Sequence, residues 1–315
     1  MDTAERIADI LLDGSEYEII YHINPDGDAV GSAYALALAL RLAGKKAQPV
    51  CSSAIPAQYR YLTDEVEKQN LTDPEYICVD TSTKARLGEY SGKRILCCID
   101  HHADNTTGAK HIFCDKDASA CVQLIYEVIQ CLGVPVSRLM ADLLMTGLVT
   151  DTSCFRSSST DRDTMRYAYI FASCGSDIKA ITRRHYLVKS PKRMAIEQRL
   201  RSSIVLSDDS RIAAFMLRHS DYDELDITDD DTEGINDIAE EAGAVIGIVV
   251  REKREGICRI SVRASGRYDA HELCSRIGGG GHSNAAGATM EGSAEEVRTA
   301  MMKLARDYLA GKDTL

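Results

Sequence analysis

The chain of 315 residues contains no apolar run long enough to cross a membrane. The longest, after Val30, is interrupted by Gly31, Ser32 and Arg41, which leaves it short of the roughly 20 residues that a spanning helix needs. An excess of positive charge is also missing. With 37 Lys and Arg against 48 Asp and Glu, the formal charge is −11, which argues against an obligate nonspecific binder of long duplex nucleic acid. A small anionic substrate stays compatible if positive charge is local. None of the eleven cysteines forms a C-x-x-C pair, so neither a zinc knuckle nor a paired redox motif is indicated. Cys78, Cys97 and Cys98 sit in apolar runs, where a free thiol packs as a small hydrophobe. The first residues lack the charged-then-apolar pattern of a signal peptide, and with reduced thiols the expectation is a cytoplasmic protein. Internal repeats and low-complexity tracts are absent as well.

What is present is an alternation of short apolar runs with amphipathic segments of helix length. "YEIIYHI", "AQPVC", "EYICVD", "RILCCID" and "HIFCD" read as strands, and "AVGSAYALALALRLAG" and "SACVQLIYEVIQCLG" as helices that stop at Gly44 and Gly133. A glycine just past the last turn is the usual left-handed stop. The pattern predicts an α/β fold of two domains, as the length also suggests. The first spans 1–185, with a mainly parallel sheet flanked by helices; 186–205 is a linker helix; 206–315 is a smaller α/β domain, with a cleft between the two. The second begins with "RIAAFML", continues through "GAVIGIVV" and "GICRISVRA", and closes with a helix from Ala294 to Leu309. Two charged tracts stand out. "TRRHYLVKSPKRMAIEQRLR" is basic and falls on the linker, where a solvated helix face is favoured over a substrate-lining role. Residues 221–241 carry eleven acids and no Lys or Arg, read as a solvated loop and helix start.

Four clusters of acids and histidines fall where predicted strands end, the edge at which open α/β sheets gather ligands. His22 closes the first strand, and Asn24-Pro25-Asp26-Gly27 is turn chemistry leading to Asp28. A helical spacing of His22 and Asp26 is disfavoured because Pro25 keeps Asn24 out of the helical region. Asp80 ends "YICVD", Asp100, His101 and His102 end "RILCCID", and Asp151 follows "LLMTGLVT". Any one aspartate there is a candidate helix cap, Asp28 above all. Together they bring five carboxylates and three imidazoles toward one point, and like charges that close need cations between them. The mixed donor set suits Mn²⁺, Fe²⁺, Co²⁺ or Zn²⁺ without choosing among them. The number of groups suits two ions about 3.5–4 Å apart, the arrangement that hydrolyses phosphoesters.

"HINPDGDAVGS", "VDTS", "DHH" and "TGLVTDTSCFR", in this order, resemble the signature motifs of the DHH phosphoesterases, and "ISVRAS" followed by "RIGGGGHSNAAGA" resembles the DHHA1 substrate-binding domain. The resemblance covers nearly the whole chain. It implies that His22 and Asp26 hold one ion, that Asp28, His101 and Asp151 hold the other, and that Asp80 bridges them. His102 would be the family's substrate-facing or acid residue, with Asp100 orienting the histidine pair. In the second domain Gly279, Gly280 and Gly281 with His282, Arg263 and Ser265 would hold substrate phosphate. Many relatives carry Arg-Ser where this chain has Arg263-Ala264, which leaves Ser265 as a candidate for the missing hydroxyl and leaves open whether it supplies it. The implied cofactor is a pair of divalent ions, Mn²⁺ first, then Fe²⁺, Co²⁺ or Mg²⁺, and the implied assembly is a homodimer. Within the family, a free-standing chain of this size is similar to NrnA-type oligoribonucleases that also dephosphorylate 3′,5′-bisphosphate nucleotides (pAp), and to phosphodiesterases of cyclic di-AMP and pApA. The expected activity is cleavage of short oligonucleotides and dinucleotides to mononucleotides. Alternatives are cyclic di-AMP hydrolysis as the main activity, or a dinucleotide sensor without catalysis.

Overall fold

A computed structural model describes residues 2–313 apart from 103, 104, 158 and 233. The chain divides between Val188 and Lys189 into two compact units. In the first, the order is α1 (Ala4–Asp13), β1 (Glu16–Ile20), α2 (Gly27–Leu42), β2 (Lys46–Val50), α3 (Arg60–Thr63), β3 (Glu75–Val79), β4 (Ile95–Asp100), β5 (His111–Cys114), α4 (Cys121–Cys131), α5 (Arg138–Asp151), α6 (Arg162–Ser173) and α7 (Ile178–Thr182). The five strands form one parallel sheet in the order β2-β1-β3-β4-β5. Parallel strands are covered on both faces, which is why they read as unbroken apolar runs. Ile19, Ile77, Cys97 and Ile99 pack with the helices, whereas Ile20, Cys78 and Cys98 face a smaller cluster around Leu87 and Ile95. The predicted stops hold: Gly44 and Gly133 lie at φ +82° and +69°. All eleven cysteines are free.

Strand order reverses direction between β1 and β3, so a crevice opens at their carboxyl ends. Two close helix contacts narrow it. A Cβ on Gly31 of α2 would lie 2.5 Å from the Leu143 carbonyl oxygen of α5. One on Gly147 of α5 would lie 2.5 Å from Val122 and 2.8 Å from the Asp28 carboxylate. Glycine at both positions lets the two backbones approach and brings the end of α5 beside the start of α2.

The second unit contains α8 (Pro191–Ser202), β6 (Val205–Leu206), β7 (Ile212–Leu217), α9 (His219–Glu224), β8 (Ile246–Arg254), β9 (Ile257–Ala264), α10 (Ala270–Ser275), β10 (Gly280–Gly281), β11 (Ala285–Glu291) and α11 (Ala294–Asp313). Its sheet runs β10-β11-β9-β8-β7-β6, with β7 and β8 parallel and the other pairs antiparallel. Helices α10 and α11 cover one face, and α8 with the turn Ile235–Glu240 covers part of the other.

Residues 186–205, expected to link the domains, include α8, which packs within the second unit through Ile196 and Leu200. Its basic residues meet the acidic tract. Arg199 bonds Asp221 and Glu224, Lys192 bonds Asp226, and Arg201 bonds Glu241. Buried Glu197 accepts from Lys189, Arg193 and Arg201. The two charged tracts thus pair in part with each other, and the acidic one also carries Ile235, Ile238 and Ala239 into the core.

Candidate metal centre

His22 lies two residues beyond β1 and is 2% exposed. Its Nδ1 stands 2.9 Å from the Ile23 carbonyl, so that nitrogen donates and Nε2 is aimed at carboxylates. From Nε2, Asp26 Oδ2 is 3.7 Å away and Asp80 Oδ2 3.5 Å. The Asn-Pro turn puts Asn24 at φ +53°, a conformation asparagine tolerates better than most residues. Asp26 then caps α2, its Oδ1 accepting from the amides of Asp28 and Ala29, while Oδ2 stays on the crevice side.

Asp80 follows β3 directly, also in the left-handed region at φ +50°, and is 2% exposed. Its amide donates to Ile99 of β4, which fixes the turn. The second oxygen faces His101, whose Nε2 is 3.5 Å from Asp80 Oδ1, 3.6 Å from Asp151 Oδ2 and 3.9 Å from Asp28 Oδ2. As with His22, a backbone carbonyl orients the ring: His101 Nδ1 is 3.2 Å from Ala118 O. Such outer contacts select the tautomer that a metal ligand needs.

Asp28 is completely buried. Its Oδ2 and Oδ1 accept from the amides of Cys121 and Val122 in the first turn of α4, so the cap expected of a lone aspartate there is real, but on a helix 93 residues away in sequence. A carboxylate has about four lone-pair positions, so both oxygens retain capacity toward the crevice. Asp100 ends β4, also fully buried. Its Oδ1 accepts from the amides of His101 and His102 and from His102 Nδ1 at 2.7 Å, and Oδ2 from Asn105.

Three overlapping groups result: His22, Asp26 and Asp80; Asp28, His101 and Asp151; and Asp80, His101 and His102. Asp80 therefore stands between the first two. Crowding shows in the ionisation. Burial, aided by Asp80, pushes the Asp151 carboxyl up to about 7 against the pull of His101, and burial with Asp80 and Asp151 holds Asp28 well above the carboxylate range. Burial opposes charge on the histidines, yet the facing carboxylates outweigh it and raise His22 to about 10 and His101 to about 11. Burial would raise Asp80 too, but its bonds to His101 and His22 hold it below the usual range. His102 is raised chiefly by Asp100. The carboxylates thus demand positive charge between them, supplied here by imidazolium protons. Divalent cations meet the same demand with release of those protons, and the oxygen and imidazole donors fit them.

The other expected residues lie in the second unit. Arg263 on β9 pairs in register with Ala285 of β11, and Gly281 of β10 pairs with Ala286, so arginine and glycines share one end of the sheet. Arg263 is 3.8 Å from Asp237 and 3.7 Å from Glu240. Ser265 is exposed, as is His282, whose amide donates to Ala285 O. Gly279 and Gly281 are packed against β11, where a Cβ would come within 2.4 Å and 2.6 Å of backbone oxygens. Gly280 has open space around it and φ outside the left-handed region, so the turn itself does not require glycine there. Sequence reasoning did not single out Asn105, Gly31 or Gly147, nor the carbonyls of Ile23 and Ala118. The glycines left a signal, the small residues Gly27 and Gly31 one turn apart in an apolar helix.

Residues 17–148 match the DHH family, N-terminal domain, and residues 210–311 match the DHHA1 domain. The chain is 29% identical over 294 residues to a bifunctional oligoribonuclease and PAP phosphatase NrnA of Thermus thermophilus, covering 91% of this chain and 88% of that one. Over 170 residues it is 29% identical to a manganese-dependent inorganic pyrophosphatase of Methanothrix thermoacetophila, with 50% of this chain and 55% of the other covered. A crystal structure of an exopolyphosphatase-related protein from Bacteroides fragilis has the same fold, with a TM-score of 0.84 at 22% identity, covering 98% of this chain and 96% of that one.

Proposed function

The chain belongs to the DHH family, with a DHHA1 domain after the DHH domain, and from that premise we propose that it is a metal-dependent phosphodiesterase. Its substrates are short oligonucleotides and linear dinucleotides such as pApA, cleaved to mononucleotides, with pAp phosphatase activity in the same site. The observation that carries this is Asp80, within 3.5 Å of both His22 and His101 and so shared by two donor groups. His22 and Asp26 would hold one divalent ion and Asp28, His101 and Asp151 the other, with Mn²⁺ preferred. Bound there, such a pair polarises the phosphoryl oxygens and lowers the pKa of water.

The remaining work falls to side chains. Asp100 accepts from Nδ1 of His102 and so fixes Nε2 as the atom turned outward, while the same contact raises the imidazole pKa and so favours its protonated form. When water adds to phosphorus and the P–O bond breaks, His102 Nε2–H is placed to give its proton to the departing oxygen. In the second unit, Arg263 and the amides around Gly279, Gly280, Gly281 and His282, with Ser265 nearby, would bind a substrate phosphate. The relative named for oligoribonuclease and PAP phosphatase activity supports the substrate class.

The test is turnover of pApA by protein stripped with EDTA and reloaded with Mn²⁺, beside Asp80→Asn. Asparagine keeps the size of Asp80 and tolerates its positive φ, so the fold should persist while kcat/KM falls by at least ~10³-fold, in the range of losing a principal electrostatic contact. Full turnover by the variant, or by wild type in EDTA, would end the proposal. Tight binding of pApA without any product would favour the sensor.

A further inference from the structure

Alternate residues of β9 face opposite ways. Cys258, Ile260 and Val262 enter the core beneath α10 and α11, which puts Arg259, Ser261 and Arg263 on the other face. Arg263 sits at the end of this row nearest the glycines, whereas Arg259 pairs with Arg251 of β8 and Thr289 of β11, four residues or about 13 Å along the strand. Around Arg259 is a cavity of about 620 Å³, to which β8 adds Arg251, Lys253 and Arg254, and the acidic tract adds Asp229 and Asn236. Among the described residues four cations thus meet one acid there, in a chain whose formal charge is −11.

Two of the cations are committed. Lys253 pairs with Asp229 at 3.1 Å, and Arg251, 7% exposed, donates to the carbonyl and hydroxyl of Thr232. The guanidinium groups of Arg254 and Arg259 have no ion-pair or hydrogen-bond partner among the described residues. Arg259 lies across β11 where Gly287 leaves room, its Nη2 3.6 Å from the place a Cβ would occupy. Asn236 adds a buried Oδ1 with no hydrogen-bond donor among the described residues. Free guanidinium forks suit phosphate oxygens, and an unfilled buried acceptor suits a hydroxyl.

We propose that this cavity is a second phosphate-binding site, distinct from the glycine-rich segment, which takes a ribonucleotide phosphate at Arg254 and Arg259 and a sugar hydroxyl at Asn236. The ligand is either part of an oligoribonucleotide or a free nucleotide. The site stands apart from the catalytic reading, which only guides the choice of probe.

The experiment is fluorescence anisotropy with a 5′-labelled pentaribonucleotide in EDTA, where no hydrolysis is needed, together with calorimetric titration of ATP. Arg254→Glu/Arg259→Glu should weaken one or both by at least tenfold. For the oligonucleotide, the slope of log K against log salt should fall by about 1.4, two phosphate contacts at ~0.7 each. Weakening confined to ATP identifies a free nucleotide as the ligand, and weakening of the pentanucleotide identifies a chain. Arg254→Gln/Arg259→Gln should change affinity in the same direction, and Lys116→Glu, an exposed site in the other unit, should not. Equal affinities and salt slopes for wild type and both double variants, with unchanged thermal unfolding, would overturn the proposal. Because the readout is binding without metal, a failure of turnover leaves it intact.

Discussion

Replacing Gly147 by alanine tests whether the narrow α2–α5 contact positions the metal centre. The added methyl would sit 2.5 Å from Val122 Cγ1, 2.8 Å from Asp28 Oδ1 and 3.1 Å from Asp28 Cα, where carbon contacts prefer 3.5–4.0 Å. Relief needs a separation approaching 1 Å, and the backbone of Asp28 cannot rotate away as a flexible side chain would. Overpacking of this kind costs about 1–3 kcal/mol. Alanine returns up to ~1 kcal/mol of helix propensity. The net loss is then on the order of 1 kcal/mol, or roughly 2–4 °C in Tm for a unit of this size. The larger effect falls on function, since a displacement near 1 Å at a reacting centre costs about 10²-fold. Asp28 should shift against His101 and Asp151, so kcat on pApA in saturating Mn²⁺ drops by one to two orders of magnitude while KM moves little. Gly92→Ala, with nothing within 4 Å of its Cβ, is the control for a glycine-to-alanine exchange that meets no neighbour. Wild-type kcat in Gly147→Ala together with an unchanged or raised Tm would refute the argument that this glycine holds the centre together.

Asp100→Asn should lower kcat by ~10²–10⁴-fold, the range of general acid–base catalysis, with little change in KM, and should flatten the alkaline limb of the rate profile. Equal losses in kcat and metal affinity would instead make Asp100 purely structural. Mn²⁺ should raise Tm by the linkage relation and, because facing carboxylates raise His22 to about 10 and His101 to about 11 and burial raises Asp28 as well, calorimetry at pH 8 in buffers of differing ionisation enthalpy should register release of at least about two protons. No buffer dependence would contradict that assignment. His185, stacked on Tyr59 and bonded to Tyr61, is depressed to about 4 by burial and then by Arg184. Its folded pKa lies below the unfolded value near 6.5, so the stability it contributes is complete above pH 6.5 and is lost as pH falls toward 4. His185→Phe should therefore have a shallower fall of Tm across that window than wild type, and parallel curves would dismiss the effect.

The strands and the four clusters of acids and histidines at their ends were legible because both rest on local chemistry. Apolar runs such as "RILCCID" end in the acids and histidines that the strand tips present, and the Asn-Pro-Asp-Gly turn admits few conformations. What lay beyond reading was tertiary. Nothing near Asp28 in sequence announces that its oxygens are held by Cys121 and Val122, and nothing near His101 announces the Ala118 carbonyl. The expected linker shows the same limit from another side. Its basic residues were visible, but their acidic partners, Asp221, Glu224, Asp226 and Glu241, lie more than twenty residues away and only folding pairs them. The glycine-rich segment was read as a phosphate grip, yet Gly279 and Gly281 also answer to close packing on β11, leaving Gly280 as the one whose absent side chain the turn does not explain.

A carboxylate that grips two amides of a distant helix is also a lever. Any change in charge at Asp28, whether by proton or by cation, is felt at once by the hydrogen atoms on Cys121 and Val122, and through them by the buried first turns of α4. Those two amides are therefore natural gauges of the crevice, readable by nuclear resonance or deuterium uptake from inside a buried helix. They also tie the chemistry to the architecture: the centre cannot be retuned at that position without loosening the start of α4.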